Sequence, residues 1–314
     1  MVDRSSEPAA VGTKAKRPRT DRVDGAPDGR FVALPGRGKT YVYELTGPPN
    51  APTVILLHGW TATAALNFSR GLGPLSAKYR VLAMDLRGQG RGIRPRPFFR
   101  LEDCADDAVA LADILGIEKF IPIGYSMGGT VAQLICRRHP DRVRGVVLCA
   151  TAKTFKSQGR DRFLWEGTMG IAATVLTMAP TGVRQQILDR FLLVKARPDT
   201  PQWISDEIKR NDPAFVVQAG LALGRFEATD WIGQLGRDGE SGIPASVVVT
   251  TKDTTVATPR QRALAKAMSG ATTHDVEAGH RAAVTDSELF VSALMAALRD
   301  VTATATATAT ATKV

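Results

Sequence analysis

The segment Gly124-Tyr125-Ser126-Met127-Gly128-Gly129 constrains this chain most tightly. Its G-x-S-x-G spacing suits a serine held on a sharp turn between a strand and a helix. In so tight a turn backbone and helix crowd the serine, and the positions two residues to either side must be small. Gly124 and Gly128 fill them, and Gly129 adds room. The flanks agree. Residues 119–123 are a short, mostly apolar run that reads as a buried strand, and residues 130–138 read as a helix with Val131, Leu134 and Ile135 on one face.

The rest of the chain extends this pattern. Residues 30–34 and 40–45 read as two strands joined by Pro35-Gly36-Arg37-Gly38. Further strands are predicted at 53–57, 80–84, 143–149, 245–250 and 272–276, with helices within 64–78, 101–115, 259–268 and 289–298. Strands alternating with helices make an α/β chain with a mostly parallel, doubly wound, eight-stranded sheet. In such sheets the site lies at the carboxyl ends of the strands, where His58, Asp85, Ser126 and Thr151 fall. Pro122 removes a ladder donor from the central strand, so a local distortion is expected there. Between residues 153 and 235 helical stretches follow one another without a strand, which reads as an inserted helical cap. Its apolar residues Met169, Ile171, Ala172, Ala173, Val175 and Leu176 suit either an acyl pocket or the cap's own core. The core is then 30–152 and 236–300, between a leader over 1–29 and a Thr/Ala tail over 301–314, both expected to be disordered.

Composition narrows the function. The 314 residues carry a net charge of +10, and Lys14, Lys16, Arg17, Arg19 and Arg22 put part of it in the leader. No aromatic residue interleaves with these cations, so no stacking platform for bases is visible and no nucleic-acid partner is expected. Cys104, Cys136 and Cys149 are too few and too irregular for a disulfide framework. No C-x-x-C or H-E-x-x-H occurs and the four histidines are widely spread, so no metal is expected. Residues 1–20 lack a signal peptide's apolar region, and no apolar run reaches the ~18 residues of a membrane helix. A cytoplasmic protein without an integral membrane segment is expected.

Five motifs in order give the chain a family likeness. They are His58-Gly59-Trp60, Asp85-Leu86-Arg87-Gly88-Gln89-Gly90, the Ser126 segment, Asp253 followed by Pro259, and Gly279-His280. From about residue 30 to 300 the chain resembles the α/β-hydrolase superfamily, in which the order is Ser, then Asp, then His. The resemblance implies a catalytic Ser126, with His280 as its base and Asp253 orienting the imidazole. Asp275 is the rival acid, and His139 and His274 are set aside as a surface helix end and a strand residue. It also implies an oxyanion hole from the backbone N–H groups of Trp60 and Met127. His58, Gly59, Gly124 and Gly128 support the two loops. The short His-Gly-Trp motif is similar to that of carboxylesterases, C–C bond hydrolases, thioesterases and cofactor-free haloperoxidases. Gln89 departs from the family pattern, in which His is commoner, and reads as a packing change. The activity implied is ester hydrolysis on a small-molecule substrate with a small-to-medium apolar acyl group, without a cofactor. Thioester cleavage, acyl transfer and C–C bond hydrolysis use the same residues, and a non-catalytic ligand-binding homologue is the alternative from another class.

Overall fold

A computed structural model describes residue 23 and residues 25–94, 98–156, 159–195, 201–236, 238–239 and 242–311. The chain begins with β1 (Arg30–Leu34), β2 (Gly38–Leu45), β3 (Thr53–Leu57), α1 (Ala64–Ser76), β4 (Arg80–Met84), α2 (Leu101–Ile114), β5 (Ile121–Tyr125), α3 (Met127–Arg138) and β6 (Val146–Cys149). Four helices follow: α4 (Gly159–Met178), α5 (Thr181–Lys195), α6 (Gln202–Lys209) and α7 (Pro213–Gly224). The sheet resumes with β7 (Ala245–Thr250), then α8 (Thr258–Ala267), β8 (Thr272–Val276), the single turn α9 (Ala282–Thr285) and α10 (Ser287–Ala311). The eight strands form one sheet in the order β1-β2-β4-β3-β5-β6-β7-β8. Only the β1–β2 and β2–β4 pairs are antiparallel.

The central strands are apolar over most of their length because both faces are covered. Side chains alternate across a strand, so Ile55, Leu57, Leu82 and Met84 enter one core with α2 and α3, while Val54, Leu56, Val81 and Ala83 enter the other with α1 and α10. Pro122 pairs with Ile55 in regular register on the β3 side. The expected distortion falls on its other flank. From Phe120↔Val143 to Ile123↔Val147 the β5 side advances three residues and its neighbour four, leaving one extra residue opposite the missing N–H.

The inserted helices sit between β6 and β7, as expected of a cap. They are fastened by α7, whose Ala219 and Leu223 belong to the same core as α2 and α3. A buried polar joint adds to this. Glu207 on α6 accepts from Thr63 Oγ1 at 2.6 Å and from Arg210 Nε at 2.8 Å. Three expectations need correction. Ile171, Val175 and Met178 lie 70%, 60% and 82% exposed on the outside of α4, so the first two line neither a pocket nor the cap core. The Thr/Ala tail is not without structure over 301–311, because α10 runs to Ala311. Ala is the strongest helix former, and Thr302 and Thr304 return their hydroxyls to the carbonyls of Leu298 and Asp300. The leader's end is also placed: Val23 is buried in the α1/α10 core. Residues 1–22, 24 and 312–314 lie outside the described residues.

Behind the strand ends, the loop after β4 is held by an ion pair. Arg87 donates twice to Asp107 on α2, at 2.7 and 2.8 Å, and Arg37 adds a third bond at 2.6 Å. The Asp107 side chain is only 1% exposed and that of Arg87 10%. Replacing Asp107 by Ala leaves a buried guanidinium without its counter-charge. We expect a loss of about 3–5 kcal/mol in urea unfolding; a loss below about 1 kcal/mol contradicts this account of the loop.

Candidate active site

Ser126 occupies the step between β5 and α3 with φ 54° and ψ −116°. A non-glycine residue reaches this region only when its surroundings over-determine it, at a cost of about 1–3 kcal/mol. Its N–H donates to Cys149 O at 2.9 Å, and Thr151 Oγ1 donates to its carbonyl at 2.8 Å. Glycine is required on either side. A Cβ at 124 would stand 2.2 Å from Gly128 O, and one at 128 would stand 1.9 Å from Leu57 O.

The structure brings the three predicted side chains together across the strand ends. His280 Nε2 lies 3.0 Å from Ser126 Oγ, and its Nδ1 lies 2.7 Å from Asp253 Oδ2. With Nδ1–H donating to the carboxylate, Nε2 presents its lone pair to the hydroxyl, which is the arrangement general-base activation of a serine requires. Asp253 stands just after β7, and His280 in the loop after β8. That loop is tied down by Tyr125, whose hydroxyl donates to His280 O at 2.7 Å. Asp275 is elsewhere: it pairs with Arg262 on the surface. His139 pairs with Asp106 and His274 with Asp300, so neither approaches Ser126.

Asp253 is completely surrounded. Its Oδ1 accepts from the N–H groups of Thr255 and Val256, and its Oδ2 from Thr250 Oγ1, Gln261 Nε2 and His280. Burial pushes this carboxyl up, but the bonds and charge from His280, Val256 and Thr250 outweigh it and hold it below its usual range. The carboxylate is therefore ionised at neutral pH. Burial raises the thiols of Cys104, Cys136 and Cys149 instead, so none competes as a thiolate nucleophile.

The loop after β3 faces the serine. A Cβ on Gly59 would lie 3.4 Å from Ser126 Cβ. His58 is fully buried: its Nε2 accepts from Leu86 N–H at 2.8 Å, which leaves the proton on Nδ1, 2.8 Å from Gly59 O. Burial lowers its pKa and favours the neutral ring, which braces the loop through these two bonds. The amides on either side of Trp60 are used, Gly59 N–H by Asn67 and Thr61 N–H by Gln89. Among the described residues no acceptor takes the N–H of Trp60 or of Met127. The indole of Trp60 reaches the cap, donating from Nε1 to Val216 O at 2.7 Å. Thr250, Gln261 and Tyr125 were not singled out by sequence reasoning. Of these, only Tyr125, adjacent to Ser126, carried a local signal.

The folded-state pKa of Asp253 is depressed, so the carboxylate contributes stability above its unfolded pKa of about 4, and this is lost as pH falls through the folded value. In thermal melts wild type is expected to exceed Asp253→Asn near pH 7, with the gap closing below about pH 4. A gap independent of pH between 3 and 7 contradicts the ionised, bonded carboxylate.

Comparison with known proteins agrees with the fold. The sequence pattern of the alpha/beta hydrolase fold family matches residues 52–286. The chain is similar to the pimeloyl-[acyl-carrier protein] methyl ester esterase of Chromobacterium violaceum, 31% identical over 147 residues, 46% of this chain and 53% of that one. That match spans about half the relative's length. A proline iminopeptidase of Neisseria meningitidis is 28% identical over 297 residues, 82% of this chain and 91% of that one. A thermophilic esterase from Thermogutta terrifontis shares the fold with a TM-score of 0.67 at 22% identity, covering 88% of this chain and 99% of its own. With a family pattern that takes in most of the sheet and all of the cap, the chain belongs to the alpha/beta hydrolase fold family.

Proposed function

We propose that the protein cleaves carboxylic esters of small-to-medium apolar acyl groups through an acyl intermediate on Ser126. The observation that carries this is the continuous hydrogen-bonded chain Asp253–His280–Ser126, with both links at or under 3.0 Å. Ser126 Oγ attacks the acyl carbon as His280 Nε2 takes its proton. Asp253 holds the ring tautomer and balances the imidazolium. The oxyanion that forms is received by the N–H groups of Trp60 and Met127, which donate to no other described group. Collapse expels the alcohol, which takes its proton from His280. Water, deprotonated by the same ring, then releases the acid, and the steps balance without a metal or cofactor.

Three features support this reading against a non-catalytic binder. Ser126 is held in a strained backbone, Asp253 is buried with five donors, and the His280 loop is tied by Tyr125. Ligand binding alone requires none of these. The Chromobacterium relative is a methyl ester esterase, which points the same way. A cytoplasmic location fits the three free, buried thiols. No helix among the described residues is long and apolar enough to cross a membrane.

Hydrolysis of p-nitrophenyl esters from acetate to palmitate, with Ser126→Ala as control, tests the proposal. Wild type is expected to turn over with an optimum among the shorter chains, and the variant to lose about 10⁴–10⁶ in kcat. Equal inertness of both proteins rejects the esterase reading.

A further inference from the structure

The loop 59–61 is held at more points than its length needs, and two of the holding residues have no part in the mechanism above. Thr61 has φ 63°, a left-handed conformation that a β-branched residue rarely adopts. Both sides of it are gripped. Its N–H donates to Gln89 Oε1 at 2.6 Å, and its carbonyl accepts from Asn211 Nδ2 at 3.2 Å. Gln89 is fully buried, and its Nε2 lies 3.7 Å from Met127 Sδ. Asn211, 2% exposed, belongs to the segment between α6 and α7. Its Nδ2 also donates to Ile208 O at 3.0 Å, and its Oδ1 accepts from Gly90 N–H at 2.9 Å. One asparagine from the cap thus joins the loop after β3 to the loop after β4.

The consequence lies one residue earlier. The Trp60 N–H donates to no described group, and its direction follows from the peptide planes on either side. Asn67 sets the plane before it, through Gly59 N–H at 2.8 Å. Gln89 and Asn211 set the conformation after it. An amide that stabilises a developing charge must already point at it before the reaction begins, because reorienting it during the step forfeits the gain.

We propose that Gln89 and Asn211 are positioning residues for the oxyanion hole, and that the cap, through Asn211, completes the catalytic loop as well as covering it. This rests on the reading of Trp60 and Met127 as the oxyanion donors. It differs from a packing role in what it predicts. Loss of a clamp lowers transition-state binding more than substrate binding, since only the tetrahedral species carries the negative oxygen.

The test uses the full chain with Gln89→Met, which keeps the volume and loses the acceptor, Gln89→Glu, which keeps the acceptor, and Asn211→Ala. Each is assayed on a p-nitrophenyl ester per active site titrated with a fluorophosphonate. Each is also inhibited with an alkyl trifluoromethyl ketone, whose adduct on a serine is a tetrahedral oxyanion. For Gln89→Met and Asn211→Ala we expect kcat to fall about 10–100-fold with KM changed less than about threefold. The ketone should weaken in parallel with kcat, and Gln89→Glu should keep ketone affinity closer to wild type. Should Gln89→Met fail to fold, Asn211→Ala still decides, because it removes the clamp from the cap side. Unchanged kcat per titrated site overturns the proposal. So does a fall in melting temperature and active-site titre with kcat and ketone affinity intact, the signature of packing alone. A wild type that forms no ketone adduct and hydrolyses no ester overturns the esterase reading, and this proposal with it, and is distinguishable from the preceding outcomes.

Discussion

The close approach of backbone at the Ser126 turn governs the rest of the site. Gly128 lies so near Leu57 that a Cβ there would fall 1.9 Å from the carbonyl oxygen, well inside any permitted contact. This brings the start of α3 against the end of β3, so that the loop beginning at His58 faces the serine. The same tight turn holds Ser126 at positive φ. That geometry costs free energy which the surrounding sheet offsets: β5 is paired on both sides, with β3 and β6, and every one of its residues is buried. The placement of Ser126 is therefore a property of a central strand that is buried throughout and paired on both edges.

A second layer fixes the partners. Neither Asp253 nor His280 stands inside a regular element, yet neither side chain is free to wander. Asp253 takes every donor within reach, including two backbone N–H groups from its own turn and the hydroxyl of Thr250 at the end of β7. His280 is held through its carbonyl by Tyr125, the residue directly before Ser126. One strand end thus carries Ser126 and fixes the loop of His280 beside it. The cap is bound into this arrangement by Trp60 and by Asn211, whose bonds reach from α7 and from the α6–α7 segment to the loop after β3.

Much of this was legible in the sequence, for a physical reason. Strands buried on both faces are apolar runs, and β3, β4 and β7 lie where such runs were read. Ser126 was legible from its local turn, whereas Asp253 and His280 were read only through the order of motifs in the resemblance. Boundaries next to the turn were less legible. β5 extends to Tyr125, pairing Gly124 with Leu148 and Tyr125 with Cys149, although a glycine before a serine reads as loop. Likewise α3 starts at Met127, because Gly128 and Gly129 hide the helical pattern at its first turn. The outward stripe on α4 was misassigned because apolar periodicity does not say which way a helix faces. Gln89 stood out only as a departure from the family pattern and read as packing, and Asn211 carried no signal, since their bonds to Thr61 span 28 and 150 residues.

The most direct measurement is the site of covalent labelling. The protein is incubated with an alkyl fluorophosphonate, and its intact mass and peptide map are recorded beside those of His280→Ala. The account predicts one adduct per chain, on Ser126, formed far more slowly in the variant because the hydroxyl has lost its base. No adduct in wild type, an adduct on another residue, or equal labelling rates in the two proteins would contradict it.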